Sequence, residues 1–284
     1  MYDIVIIGTG PAGISAAITA KVRNKDIILL GSDVLSDKMR KAHTVLNYPG
    51  LPDISGEGLA DAYKKHLDSL DIKITADIAT AVYDMGGSFS VQGRSGMMYE
   101  ARSVIFATGT ATAKGIPGEE ENLGMGVSYC ATCDAPLYKG KTAAVIAYSA
   151  DEEREAAFLA ELADTVLYFP MYKGDVSFEA KNIRVIYEKP VEIADRGRRL
   201  VTDSAEHSID GVFVLRESVA PKNMMSGLET DGAHIVTDRE MNTSISGVFA
   251  CGDIAGRPYQ LVKAAGEGNI AALSCVKYLD EIKK

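Results

Sequence analysis

The sequence is poor in several features that would direct it elsewhere. It has no apolar run long enough to cross a bilayer, so no spanning helix is expected. Its 30 basic residues face 39 acidic ones, a formal net charge of −9 that excludes a nucleic-acid footprint. Four cysteines are too few for a disulfide scaffold. The histidines at 43, 66, 207 and 234 show no ligand spacing, and Cys251 and Cys275 stand alone. A closed zinc site needs about four ligands, so no metal is expected. Met1-Tyr2-Asp3 leads straight into an apolar strand with no basic leader before it, so the expected compartment is the cytoplasm.

What is present reads as α/β. "YDIVIIGTGPAGISAAITAKVRNKDIILLG" has a strand at Ile4–Ile7, a helix at Ile14–Val22 and a second strand at Ile27–Leu30. Gly8, Gly10 and Gly13 form G-x-G-x-x-G at the strand-to-helix turn, with Pro11 and Ala12 between them. Such glycines allow a tight turn, close approach of a pyrophosphate and close helix–sheet packing. The second strand ends Leu30-Gly31-Ser32 without the acid that usually holds a ribose. Asp33, slightly later, or the backbone and Ser32 are the substitutes.

Two later segments repeat the pattern of an apolar strand ending in a turn. Ser103–Ala111 carries Thr108-Gly109, and Gly247–Ala250 is followed by Gly252-Asp253. A helix rich in Ala and Gly begins near Gln260 and Leu261. Together with the first motif these resemble an FAD-binding flavoprotein. The resemblance implies that Asp253 bonds the ribitol chain and that the last helix starts at the flavin. The expected FAD domain is discontinuous, 1–112 plus 242–284. An inserted domain at 113–241 has its own strand–helix–strand over Ala143–Phe169. The expected fold class is α/β, with two Rossmann-like three-layer domains of the FAD/NAD(P)-binding type, the second inserted into the first.

Cys130-Ala131-Thr132-Cys133-Asp134 is the redox candidate. Two-residue spacing closes a small reducible ring, and a following helical turn lowers thiolate pKa. Asp134 stands beside the sulfurs as an acid–base candidate. "YCATCDAPLYKGK" resembles the redox centre of low-molecular-weight thioredoxin reductases. "GTGPAG", "NYPG" (Asn47–Gly50), "FATG" and "CGD" fall in that family's order across nearly the whole chain. The resemblance implies that Cys133 lies nearer the flavin and that Cys130 attacks the thioredoxin disulfide. It also implies that Asp134 handles protons, that the inserted domain rotates, and that the chain is a homodimer.

The chain departs from the NADPH-using members at their nicotinamide site. The turn after the inserted domain's first strand is Ala147-Tyr148-Ser149-Ala150, with no glycine. Side chains there oppose backbone approach to a pyrophosphate. Asp151, Glu152, Glu153 and Glu155 then crowd the helix start and repel phosphate. Tyr148 could fill the dinucleotide's space. After the next strand come Met171-Tyr172-Lys173, with no arginine cluster. A second departure is Ser36-Asp37-Lys38-Met39-Arg40, where the family has a glycine-rich turn; Lys38 and His43 are candidates to approach the flavin.

The best resemblance is to the ferredoxin-dependent flavin thioredoxin reductases. It implies ferredoxin as electron donor and thioredoxin as acceptor. Docking an acidic donor calls for a basic patch. The candidates are Lys181, Arg184, Arg196, Arg198 and Arg199, and Lys21, Arg23, Lys25, Lys38, Arg40 and Lys41. Three other readings stay open: an NAD(P)H-dependent reductase with an unusual nucleotide pose, a two-flavin reductase, and a non-catalytic flavin redox sensor.

Overall fold

Short apolar runs bounded by glycine and polar turns fold here as the buried strands of two main sheets, one mixed and one parallel throughout. The computed structural model describes residues 1–40, 42–109, 115–216, 221–232 and 234–282, without the side chains of Asp37, Lys38, Thr132, Cys133, Pro221 and Lys222. The chain divides into two compact units. One is Met1–Gly93, Met97–Ala111 and Ala220–Lys284; the other is Arg94–Gly96 and Thr112–Val219.

The first unit opens with β1 (Tyr2–Ile7), α1 (Pro11–Val22), β2 (Ile27–Gly31), α2 (Asp37–Arg40) and α3 (Gly56–Ser69). β3 (Ile74–Ala76), β4 (Ala79–Asp84), β5 (Phe89–Gly93) and β6 (Met98–Phe106) follow. The second unit holds β7 (Val127–Ser128), α4 (Ala131–Asp134), β8 (Thr142–Ala147), α5 (Glu153–Ala160), β9 (Thr165–Pro170) and β10 (Ile183–Val185). It continues with β11 (Pro190–Ala194), β12 (Arg199–Thr202), β13 (Glu206–Ser208) and β14 (Gly211–Leu215). The chain then returns to the first unit through α6 (Pro221–Met224), β15 (Thr230–Asp231), β16 (His234–Ile235), β17 (Val248–Ala250) and α7 (Leu261–Glu281).

In the first unit's sheet β3, β2, β1, β6 and β17 run parallel. On the edge away from β1, β6 is long enough to serve two ladders. Its start pairs antiparallel with β5, and its end pairs with β17. α1 and α7 pack together over this sheet, where a Cβ on Gly268 would sit 2.0 Å from the Ala12 carbonyl oxygen. α3 shows how local sequence sets an element. Ser55 caps its start by accepting from the Gly58 amide at 3.0 Å. Leu59, Tyr63 and Leu67 then recur four residues apart and bury one face.

The second unit's main sheet is parallel throughout, in the order β10-β9-β8-β14-β7. All five residues of β14 and five of six in β8 are buried, as a sheet covered on both faces requires. α5 covers it with Ala156, Leu159 and Ala160. A separate antiparallel sheet, β11-β12-β13, completes the unit. The α/β class with parallel sheets is the one expected from the sequence. Among the described residues no helix is long and apolar enough to cross a membrane.

Candidate active site

The turns of the first unit's parallel strands meet at one sheet edge. β1 delivers Gly8, β2 delivers Ser32, β6 delivers Thr108 and Gly109, and β17 delivers Gly252 and Asp253. A Cβ on Gly8 would lie 2.2 Å from the Ala107 carbonyl oxygen, and one on Gly13 would lie 1.9 Å from that of Gly8. These two glycines let the turn, the helix and β6 close up. Gly10 differs. Its φ of −83° suits any residue, and a Cβ there would meet only Ser36 Cβ, at 3.8 Å. Its missing side chain leaves open the approach to the start of α1. That start has no side-chain cap and no acid in its first turn. Free amides there favour an anion, so the edge has the chemistry a dinucleotide diphosphate needs.

The same edge is braced from within. Thr9 Oγ1 donates to the Ser32 carbonyl at 3.0 Å. Asn47 donates to Gln260 at 2.9 Å, joining two residues 213 apart at the N-cap of α7. Pro11 and Ala12 are buried, and Leu261 is half-buried. The exposed His43 contacts Thr44 Oγ1 through Nδ1. The side chain of Lys38, and the whole of Lys41, lie outside the described residues.

Sequence reading missed Lys263 and Glu267. Glu267 accepts from the Gly252 amide at 2.9 Å. Lys263 Nζ donates to the carbonyls of Gly252 and Gly256 and pairs with Glu267 at 2.9 Å. This i,i+4 pair clamps the Gly252-Asp253 turn. The spacing was readable as a helix pair, but nothing in the sequence aimed it at the turn. Cys251 and Cys275 are free and buried. Burial raises both thiols, Cys275 up to about 12, so neither ionises near neutral pH.

In the second unit Cys130 is disulfide-bonded and buried. The side chain of Cys133 lies outside the described residues. The Cys130 amide donates to Ser128 Oγ at 3.1 Å, and that hydroxyl donates to Asp134 Oδ2 at 2.6 Å. One hydroxyl, that of Ser128, thus joins Asp134 to the Cys130 amide.

The turn after β8 is closed by the unit's own side chains. The Arg216 guanidinium lies over the Tyr148 ring, 4.7 Å from its centroid. Arg216 also forks onto Glu119, with Nη2 to Oε2 at 2.7 Å. Glu153, in the first turn of α5, accepts from the Tyr172 hydroxyl at 2.6 Å, which joins the ends of β8 and β9. Glu152 is buried at the N-cap of α5 and held by Arg94 Nη1 at 2.8 Å. Burial pushes the Glu152 carboxyl up against the pull of Arg94. None of Glu119, Arg94 and Arg216 was flagged by the sequence, because their partners are dispersed along the chain.

Of the basic docking candidates, several are spent on intramolecular pairs. Lys25 bonds Asp280, Arg40 bonds Glu57, and Arg199 bonds Asp195 and Glu206.

Residues 2–150 and 174–268 match the family described as pyridine nucleotide-disulphide oxidoreductase. A thioredoxin reductase of Listeria monocytogenes is 32% identical over 306 residues, spanning 100% of this chain and 96% of that protein. Among solved structures, a ferredoxin-flavin thioredoxin reductase from Clostridium acetobutylicum superposes with a TM-score of 0.91 at 48% identity, over 99% of this chain and 98% of the other. A thioredoxin reductase from Gloeobacter violaceus gives a TM-score of 0.81 at 27% identity, over 100% and 95%.

Proposed function

The chain belongs to the pyridine nucleotide-disulphide oxidoreductase family, and from that premise we propose that it is a thioredoxin reductase whose FAD receives electrons from ferredoxin rather than from NADPH. The observation that carries the donor assignment is the filled turn after β8. Tyr148 under Arg216, and Glu153 tied to Tyr172, stand where a dinucleotide would cross the strand ends. Acids at the start of α5 satisfy its dipole and repel phosphate. The start of α1 has neither obstruction. The identity to the Clostridium enzyme, 48% against 32% for the Listeria one, supports the same reading.

Bound FAD supplies the chemistry that turns single-electron delivery into two-electron reduction of a disulfide. The chain's own residues divide the remaining work. Gly8, Gly10 and Gly13 with the start of α1 would hold the FAD diphosphate. Gly31, Ser32, Thr108 and Gly109 would hold the adenosine side. Asp253, in the turn clamped by Lys263 and Glu267, would hold the ribitol, and Asn47 with Gln260 would meet the flavin. The Cys130 thiolate attacks one sulfur of the thioredoxin disulfide; a mixed disulfide forms and one thioredoxin thiolate leaves. Cys133 attacks Cys130 Sγ, the second thiolate leaves, and the pair is a disulfide again. Asp134, bonded to Ser128, holds the proton exchanged in these steps.

The test is turnover with purified components. Reduced ferredoxin should drive thioredoxin reduction through this protein. NADPH and NADH at millimolar concentration should give less than ~1% of that rate, the level at which a nicotinamide route is excluded as the working one. Equal rates with NADPH would overturn the donor assignment and leave the disulfide chemistry standing.

A further inference from the structure

Three parallel strands of the second unit end side by side, in the order β8-β14-β7. The next residue on each is Tyr148, Arg216 and Tyr129. At the C-terminal edge of such a sheet a ligand would ordinarily lie. Here the three side chains meet one another through Glu119. Arg216 stacks on Tyr148 on one side and forks onto Glu119 on the other. Glu119 is buried; its Oε2 also accepts from the Ile116 amide at 2.9 Å, and it takes the Tyr129 hydroxyl. Tyr129 is buried and is followed directly by Cys130. Cys130 is thus gripped from both sides, through Ser128 and Asp134 on one and through Tyr129, Glu119 and Arg216 on the other.

We infer that Glu119 and Arg216 are positioning residues for the redox disulfide: their ion pair anchors Tyr129 and so fixes the segment carrying Cys130. The charges support a fixed arrangement. Burial opposes ionisation of Glu119, but hydrogen bonds from Arg216, Ile116 and Tyr129 hold its carboxyl below the ordinary range. The pair therefore stays ionised across the working pH range, and its geometry with it. A disulfide demands a fixed separation of its two attachment points, whereas a dithiol does not. Loosening the Tyr129–Cys130 segment should therefore favour the dithiol.

The inference rests on Cys130 being the redox sulfur and is independent of the electron donor. Its test uses dithiothreitol in fixed ratios of reduced and oxidised form. There the reagent's dithiol closes to its cyclic disulfide as the protein disulfide takes up two electrons and two protons. The thiol fraction at Cys130 is read by alkylation and mass spectrometry on the FAD-loaded protein. Tyr129→Phe removes one hydroxyl and leaves the ion pair intact, so it avoids the buried unpaired arginine that Glu119→Gln would create. It should shift the dithiol-to-disulfide ratio about tenfold toward dithiol, roughly 30 mV for a two-electron couple. Arg216→Lys, which loses the fork, should shift it the same way. Tyr172→Phe deletes a hydroxyl bonded to Glu153 in the same unit and should leave the ratio unchanged. A Tyr129→Phe ratio equal to wild type overturns the inference. So does a shift shared equally by Tyr172→Phe, which would mean general loosening of the unit. If the disulfide equilibrium moves as described while NADPH proves to be the donor, the donor assignment fails and this inference stands.

Discussion

Cys133→Ser is expected to lower thioredoxin reduction by at least ~10³-fold while leaving FAD bound, because the pair acts as a unit and one member cannot substitute for it. Without Cys133 no internal disulfide can form, so electrons on the flavin have no outlet. Cys130 remains a nucleophile. It can open a thioredoxin disulfide, but nothing resolves the mixed disulfide that results. The variant should accumulate a covalent adduct with oxidised thioredoxin, seen on a non-reducing gel and released by dithiothreitol. Cys130→Ser should be equally inactive and form no adduct at that position. An adduct with Cys130→Ser and none with Cys133→Ser would reverse the assigned roles. Substantial turnover by either variant would remove the pair from the reaction.

The second large effect concerns the start of α1. Gly10→Glu should yield folded protein that has lost FAD. The fold should survive, because the φ of −83° suits glutamate and only Ser36 Cβ stands near. The cofactor should not, because a carboxylate would occupy the approach to the free amides and repel the diphosphate. The change gives α1 the kind of acidic start that α5 has naturally in Asp151, Glu152 and Glu153. Affinity should fall at least ~100-fold, or about 2.7 kcal/mol. Flavin absorbance per chain and titration with added FAD measure it. Full flavin content would mean that the diphosphate lies elsewhere.

The legible parts of this chain were those whose signal is local. The βαβ unit at Gly8–Gly13 could be read because strand, turn and helix occupy consecutive residues. The cysteine pair and the glycine-free turn at Tyr148 were readable for the same reason. What escaped was contact between distant residues. Glu119 and Arg216 are 97 positions apart, and neither sits in a pattern that marks it. Tyr148 was expected to fill the dinucleotide's space; the arginine stacked on its ring became visible only with the fold. His43 was a candidate to approach the flavin by its position; the fold shows its Nδ1 against the hydroxyl of the adjacent Thr44. The β4–β5 hairpin and the β11–β13 sheet were also missed, because strands of three to six residues are too short for a period-two pattern to stand out.

The central claim is that electrons reach the flavin without a nicotinamide. The most direct measurement follows flavin absorbance under anaerobic conditions as NADPH, NADH or reduced ferredoxin is added to the oxidised protein. Neither nicotinamide should bleach the flavin within minutes, and reduced ferredoxin should bleach it rapidly. Rapid bleaching by NADPH or NADH would contradict the claim.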